Sequence, residues 1–142
     1  MDRSIILSMT AAFGICLALT FGFYGCASNA GAPEAVNCPA SIDWEVVPEA
    51  KLTQFDCAMG AHGGQTSLIF NVGIMNVTEQ PHRYRVNVFL EDMDKAVGAL
   101  VPRKGNPPVV RPGEEAKIKM PFIGTEAQSK KVTVVVKTIT VD

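Results

Sequence analysis

The densest run of ligand-type side chains is Cys57-Ala58-Met59-Gly60-Ala61-His62-Gly63-Gly64. Thiolate, thioether and imidazole are donors that suit copper. With His82, the other of the two histidines, Met59 and His62 make up the candidate set for a metal or small-ligand carrier. The spacing matches no set of three convergent ligands, and a glycine-rich loop with Met59 packed and His62 exposed explains the same residues. Gly60, Gly63 and Gly64 are not followed by the Lys-Ser/Thr pair and helix of a phosphate loop. Both histidines fall in expected loops and no Gly-x-Ser-x-Gly elbow occurs, so nothing assembles a Ser-His-acid triad. The carboxylates Glu114 and Glu115, and Glu91, Asp92 and Asp94, lie beside turn residues and read as solvated hairpin ends rather than an acid–base pair. The expectation is no catalytic residue, no metal and no cofactor. Asn76-Val77-Thr78 spells a glycosylation sequon, a pattern too short to argue from.

The cysteines are Cys16, Cys26, Cys38 and Cys57. Cys16 lies inside an apolar segment and behaves there as a small hydrophobe. Outside the cytoplasm, Cys38 and Cys57 would pair and close a loop of about 20 residues, a constraint of roughly 3 kcal/mol in the chain-entropy account. Free thiols or metal ligands are the alternatives, but no Cys-x-x-Cys pair supports a zinc or thioredoxin-like site.

Where these groups end up depends on the N-terminus. From Ser4 to Gly25 no residue is charged, and Ile5, Ile6, Leu7, Phe13, Ile15, Leu17, Leu19, Phe21 and Phe23 make the segment apolar all round. That is the composition of an export signal or a membrane anchor, preceded by Arg3 as a thin positive region. Three outcomes fit it. Gly25-Cys26 resembles the end of a bacterial lipobox, which would put lipid on Cys26, although Phe23 and Tyr24 depart from the usual Leu and small residue. The uncharged run is long enough to stay as a spanning helix. Cleavage after Ala30 would release a soluble protein. Residues 1–26 are thus assigned to signal or anchor and residues 27–40, rich in Ala, Gly, Ser, Asn and Pro, to a flexible tether.

The remaining residues, 41–142, read as one domain. Ile42, Trp44 and Val46 alternate with acidic residues, the period of a half-buried strand. Leu52 to Cys57 is a weaker candidate. Leu68, Phe70, Val72 and Ile74 share one parity, as do Tyr84, Val86, Val88 and Leu90, and these are expected to be core strands. A short strand follows at Ala96 to Pro102, then Ile118, Met120 and Phe122 alternate after the Pro112-Gly113 turn. The β-branched run Lys131 to Val141, including Val134 and Val136, closes the chain. Six to seven short strands with frequent turns and no amphipathic helix predict an all-β fold: a small antiparallel immunoglobulin-like β-sandwich behind an N-terminal apolar helix. A net charge of -1 with no basic patch argues against nucleic acid as a partner.

The stretch from Leu68 to Phe122 resembles the FxLYD-type immunoglobulin-like domains of exported proteins. The resemblance rests on a strand ending in Gly73 and Asn76, then Val86, Val88, Phe89, Leu90 and Asp92 leading to Val97 and Gly98, and Pro112, Gly113 and Glu114 before a last alternating strand. Phe89-Leu90-Glu91-Asp92 departs from the Phe-x-Leu-Tyr-Asp signature. The resemblance implies an extracytoplasmic sandwich that binds or spaces other components and has no catalytic set. The expectation is a membrane-tethered module at the periplasmic side or cell surface, held by lipid or helix, that binds a protein partner in the envelope.

Overall fold

A computed structural model describes residues 31–141. The expected signal or anchor, the lipidation at Cys26 and the cleavage after Ala30 all lie outside the described residues. The described residues are all-β and contain no helix. Eight strands run β1 (Val36–Asn37), β2 (Ser41–Val46), β3 (Ala50–His62), β4 (Gln65–Asn76), β5 (Arg83–Leu90), β6 (Lys95–Val101), β7 (Glu115–Ile123) and β8 (Lys131–Ile139). They form two four-stranded sheets, ordered β1-β3-β4-β7 and β2-β8-β5-β6, stacked over one core.

The sheets are mixed rather than purely antiparallel as expected: β1 runs parallel to β3, and β2 runs parallel to β8. Side-chain alternation reports which face is buried, not strand direction. Tight turns force antiparallel pairing only on sequence neighbours, and β2 pairs with the last strand of the chain. The first sheet also takes in Val36 and Asn37, within the stretch expected to be tether.

Of the alternating residues, those of Leu68–Ile74, Tyr84–Leu90 and Ile118–Phe122 are buried with Val134 and Val136, whereas Ile42 and Val46 are half-buried, as is Trp44. Its ring nevertheless starts an aromatic line through the sandwich. Trp44 meets Phe55 edge-on with centroids 5.0 Å apart, Phe55 lies 5.4 Å from Phe70, and Phe70 lies 5.5 Å from Phe122. These separations are in the favoured range for aromatic pairs, so the line links β2, β3, β4 and β7 beyond simple area burial. Ala50, Leu52, Phe55, Cys57, Val101, Val110 and Val132 complete the core.

The long strand β3 was weak in the sequence because a β-bulge interrupts its period. Leu52 pairs with Ile74 and Gln54 with Gly73, which leaves Thr53 as the extra residue. The insertion flips the parity, so Leu52 and Phe55 both point into the core although three positions separate them. Opposite the bulge a side chain has no room: a Cβ on Gly73 would lie 2.5 Å from the Thr53 hydroxyl.

Tyr84 reaches from β5 across the end of the core and donates its phenol hydrogen to the Glu49 carbonyl at 2.9 Å. Burial, with a smaller contribution from the Glu49 charge, pushes its pKa up to about 12. In the unfolded chain the same phenol titrates near ~10. The stability held in this proton is therefore complete below pH ~10 and is lost as the pH rises from there towards about 12. Wild-type protein should lose on the order of 2 kcal/mol of unfolding free energy over that interval. In Tyr84→Phe the stability curve should be flat there, as read by urea unfolding at stepped pH. An equally steep alkaline loss in the variant would assign the effect to other groups.

Candidate functional site

The geometry disperses the candidate metal ligands. Cys38 and Cys57 form a disulfide with a Cα separation of 4.9 Å, so Cys57 has no thiolate to offer. His62 is the last residue of β3 and pairs with Gln65 at the hairpin tip, while His82 bridges to Val110 beyond the Asn76 end of β4. Strand β4 lies between them, from Gln65 to Asn76, which at about 3.3 Å per residue separates the two imidazoles by roughly 35 Å. Among the described residues no group of three His, Cys, Asp or Glu side chains is placed to hold a metal.

The glycine-rich run is not the loop expected. β3 continues through Met59, Gly60 and Ala61 to His62, and the turn is only Gly63 and Gly64, with φ of 59° and 77°. Two consecutive left-handed residues make the hairpin turn whose twist matches the flanking strands, which is why glycine occupies both positions. Met59 is consequently 37% exposed rather than packed, and His62 is exposed.

The acidic turn residues serve as clasps. Asp92 accepts hydrogen bonds from the Ser129 hydroxyl and from the Lys130 amide at 2.9 Å, in that order of importance, and these hold its carboxyl below its usual value. The bonds tie the β5–β6 turn to the start of β8. Glu114 accepts from the Arg111 amide at 3.2 Å within the Pro112-Gly113 turn, and Glu115 accepts from the Thr53 hydroxyl at the bulge. The sequon residue Asn76 is fully buried. Its side-chain amide donates to the carbonyls of Gln80 and Val110 at 2.6 and 2.9 Å, and its oxygen accepts from the amide and hydroxyl of Thr78, each at 2.9 Å. With that nitrogen committed and out of solvent, the folded protein offers no acceptor for a glycan.

What remains is a surface that the sequence reading did not single out. β1 covers the outer edge of β3 only at Phe55 and Asp56, and the chain then crosses to the other sheet through Cys38. Beyond that point Ala58–His62 is an exposed strand edge, with no backbone partner on its outer side among the described residues. Such an edge presents unpaired amides and carbonyls and is usually guarded by charge or proline. Here neither is present: no Asp, Glu, Lys or Arg occurs from Cys57 to Thr78. That uncharged run was the signal available in the sequence. In register, Gly60, Ser67 and Ile123 lie side by side, as do Ala58, Ile69 and Pro121, on the face turned away from Leu68 and Phe70. Ile123 is 53% exposed on this face, while Ser67 and Ile69, between it and the edge, are buried.

Of the other edges, β2 is charged, and β6 and β7, which share no backbone ladder, lie next to each other across the sandwich. β6 lies beside β7, joined at both ends: Lys95 donates to the Gly124 carbonyl at 3.4 Å and the Thr125 hydroxyl at 3.0 Å, and Arg103 to the Lys119 carbonyl at 3.1 Å. β2 carries the exposed Asp43 and Glu45. At the opposite end from the hairpin tip, an open cleft of ≈ 490 Å³ is lined by Pro81, His82, Pro107, Val109 and Thr138. Among the described residues the Thr138 hydroxyl has no hydrogen-bond partner, and the other polar side chains in the lining are His82 and Thr140.

No protein-family model, no curated protein and no solved structure matches the chain.

Proposed function

We propose that this chain is a non-enzymatic interaction or structural module of the cell envelope. In this reading an immunoglobulin-like sandwich is exported, is held at the membrane by lipid on Cys26 or by an uncleaved N-terminal helix, and presents a sheet edge to another protein. The observation that carries it is the free, uncharged edge Ala58–His62, because strand addition at such an edge gains affinity from backbone hydrogen bonds without needing a pocket. The Cys38–Cys57 bridge fits an oxidising compartment. The likeness to FxLYD-type domains and the apolar segment from Ser4 to Gly25 support the same placement.

The test is a photo-crosslinking side chain placed at Ala61 in the full chain, irradiated in membranes of the native host. A discrete adduct at Ala61, absent when the probe is moved to Lys137 on the other sheet, is expected. Equal labelling at both positions, or none at either, would refute an edge-mediated interaction. The intact mass of the same preparation reads the anchor: a mature chain beginning at acylated Cys26, or one retaining residues 1–25.

A further inference from the structure

We propose that the strand added to this edge is the same edge of a second copy of the chain, paired antiparallel about Gly60. The inference rests on the interaction reading above and names its partner. The strip is bounded at both ends, by the disulfide at Cys57 and by the turn at Gly63. Its midpoint is Gly60, so only a two-fold axis through Gly60 lets every residue of the strip pair with a second copy. That register sets Ala58 opposite His62 of the second copy and Met59 opposite its Ala61. No position meets a like charge, which would oppose pairing if directly across. The other edges suit it less: a two-fold axis through Trp44 of β2 would set Asp43 opposite Glu45 of the second copy, and the edges of β6 and β7 lie side by side, tied by the Lys95 and Arg103 side chains.

The geometry also suits a tethered protein. A two-fold axis normal to the sheet joins the two first sheets into one continuous sheet and, if it stands normal to a membrane, sets residue 31 of both copies at the same height above it. Backbone pairing over so short a strip is modest, and confinement to a membrane surface raises the effective concentration that it needs.

The experiment is a charge swap at the axis in the full-length protein, reconstituted in lipid vesicles and read by chemical crosslinking and gel mobility. A Cβ on Gly60 meets only the end of the Ile69 side chain, at 3.0 Å, which can turn aside. Gly60→Lys and Gly60→Glu each place like charges across the two-fold, and each should reduce dimer by roughly tenfold or more. Mixing the two should restore it. Gly60→Cys should in addition form an intermolecular disulfide, since directly opposed strand residues bring Cα atoms to about 4.5–5.5 Å. Ala58→Cys should not, because its image lies about four residues away, roughly 14 Å. A dimer indifferent to the Gly60 charge, or equal crosslinking at both cysteines, overturns the proposal. Wild-type protein that stays monomeric while Ala61 labels a different protein overturns self-pairing and leaves the interaction reading standing. A monomer with no adduct at Ala61 overturns both.

Discussion

Asn76→Ala should lower the unfolding free energy by about 3 kcal/mol, the largest effect expected of a single polar side chain here. All of its polar groups are in use. Besides the four side-chain bonds, its backbone amide donates to the Glu114 carbonyl at 3.1 Å and its carbonyl accepts from Gly113 at 2.9 Å. The residue thus binds three segments: the end of β4, the turn through Thr78 and Gln80, and the long β6–β7 connection at Val110. Truncation leaves the buried Val110 carbonyl short of one donor and opens a void beside it, a combination of desolvation and lost packing that typically costs more than a surface bond. Thr78→Ala, which removes one partly exposed partner, should cost only about 1 kcal/mol. The comparison is made by urea unfolding, with the midpoint falling and the slope unchanged in both. Equal losses for the two variants would mean that the turn, not the buried amide, holds these segments together.

The elements legible in the sequence were those with uninterrupted alternation. Leu68 to Ile74 and Tyr84 to Leu90 could only be strands, and their inward residues pack as their parity requires. β3 was obscured twice over. The bulge at Thr53 broke its period, and Gly60, Gly63 and Gly64 looked like loop until pairing with β4 drew Gly60 into the strand. β1 is too short to have a period, and neither of its residues is buried. Its existence depends on the edge of β3 and on the bridge at Cys38. The free edge was invisible for a related reason, since an edge is defined by what fails to pair with it. Only its lack of charge was written locally. Asn76 shows the same limit: a three-residue motif suggested modification, while its partners at Gln80 and Val110 come from tertiary structure and assign it to the scaffold.

Removing the bridge, by Cys38→Ala with Cys57→Ala, should cost about 3 kcal/mol through the freedom restored to the unfolded chain. Its local consequence bears on the edge. Val36 and Asn37 are both exposed, their pairing with β3 is two residues long, and the nearby Lys51–Glu34 ion pair at 3.4 Å is exposed on both sides. An exposed pair of this kind contributes little. Without the disulfide β1 should detach while β3 stays paired to β4, and the free edge should extend back from Ala58 to Phe55. Hydrogen exchange distinguishes this from a uniform loss of stability. The Phe55 amide, which now donates to the Ala35 carbonyl at 3.3 Å, should lose its protection selectively, while the amides of Phe70 and Val72 keep theirs relative to the global value. A longer edge should also pair more tightly and in more than one register, because on a strip from Phe55 to His62 a two-fold axis through Gly60 pairs Ala58–His62 alone, whereas one through Ala58 pairs Phe55–Ala61. The double variant should therefore crosslink at Ala58→Cys as well as at Gly60→Cys. If crosslinking stays confined to Gly60, β1 holds its place unaided, and the bridge acts on global stability alone.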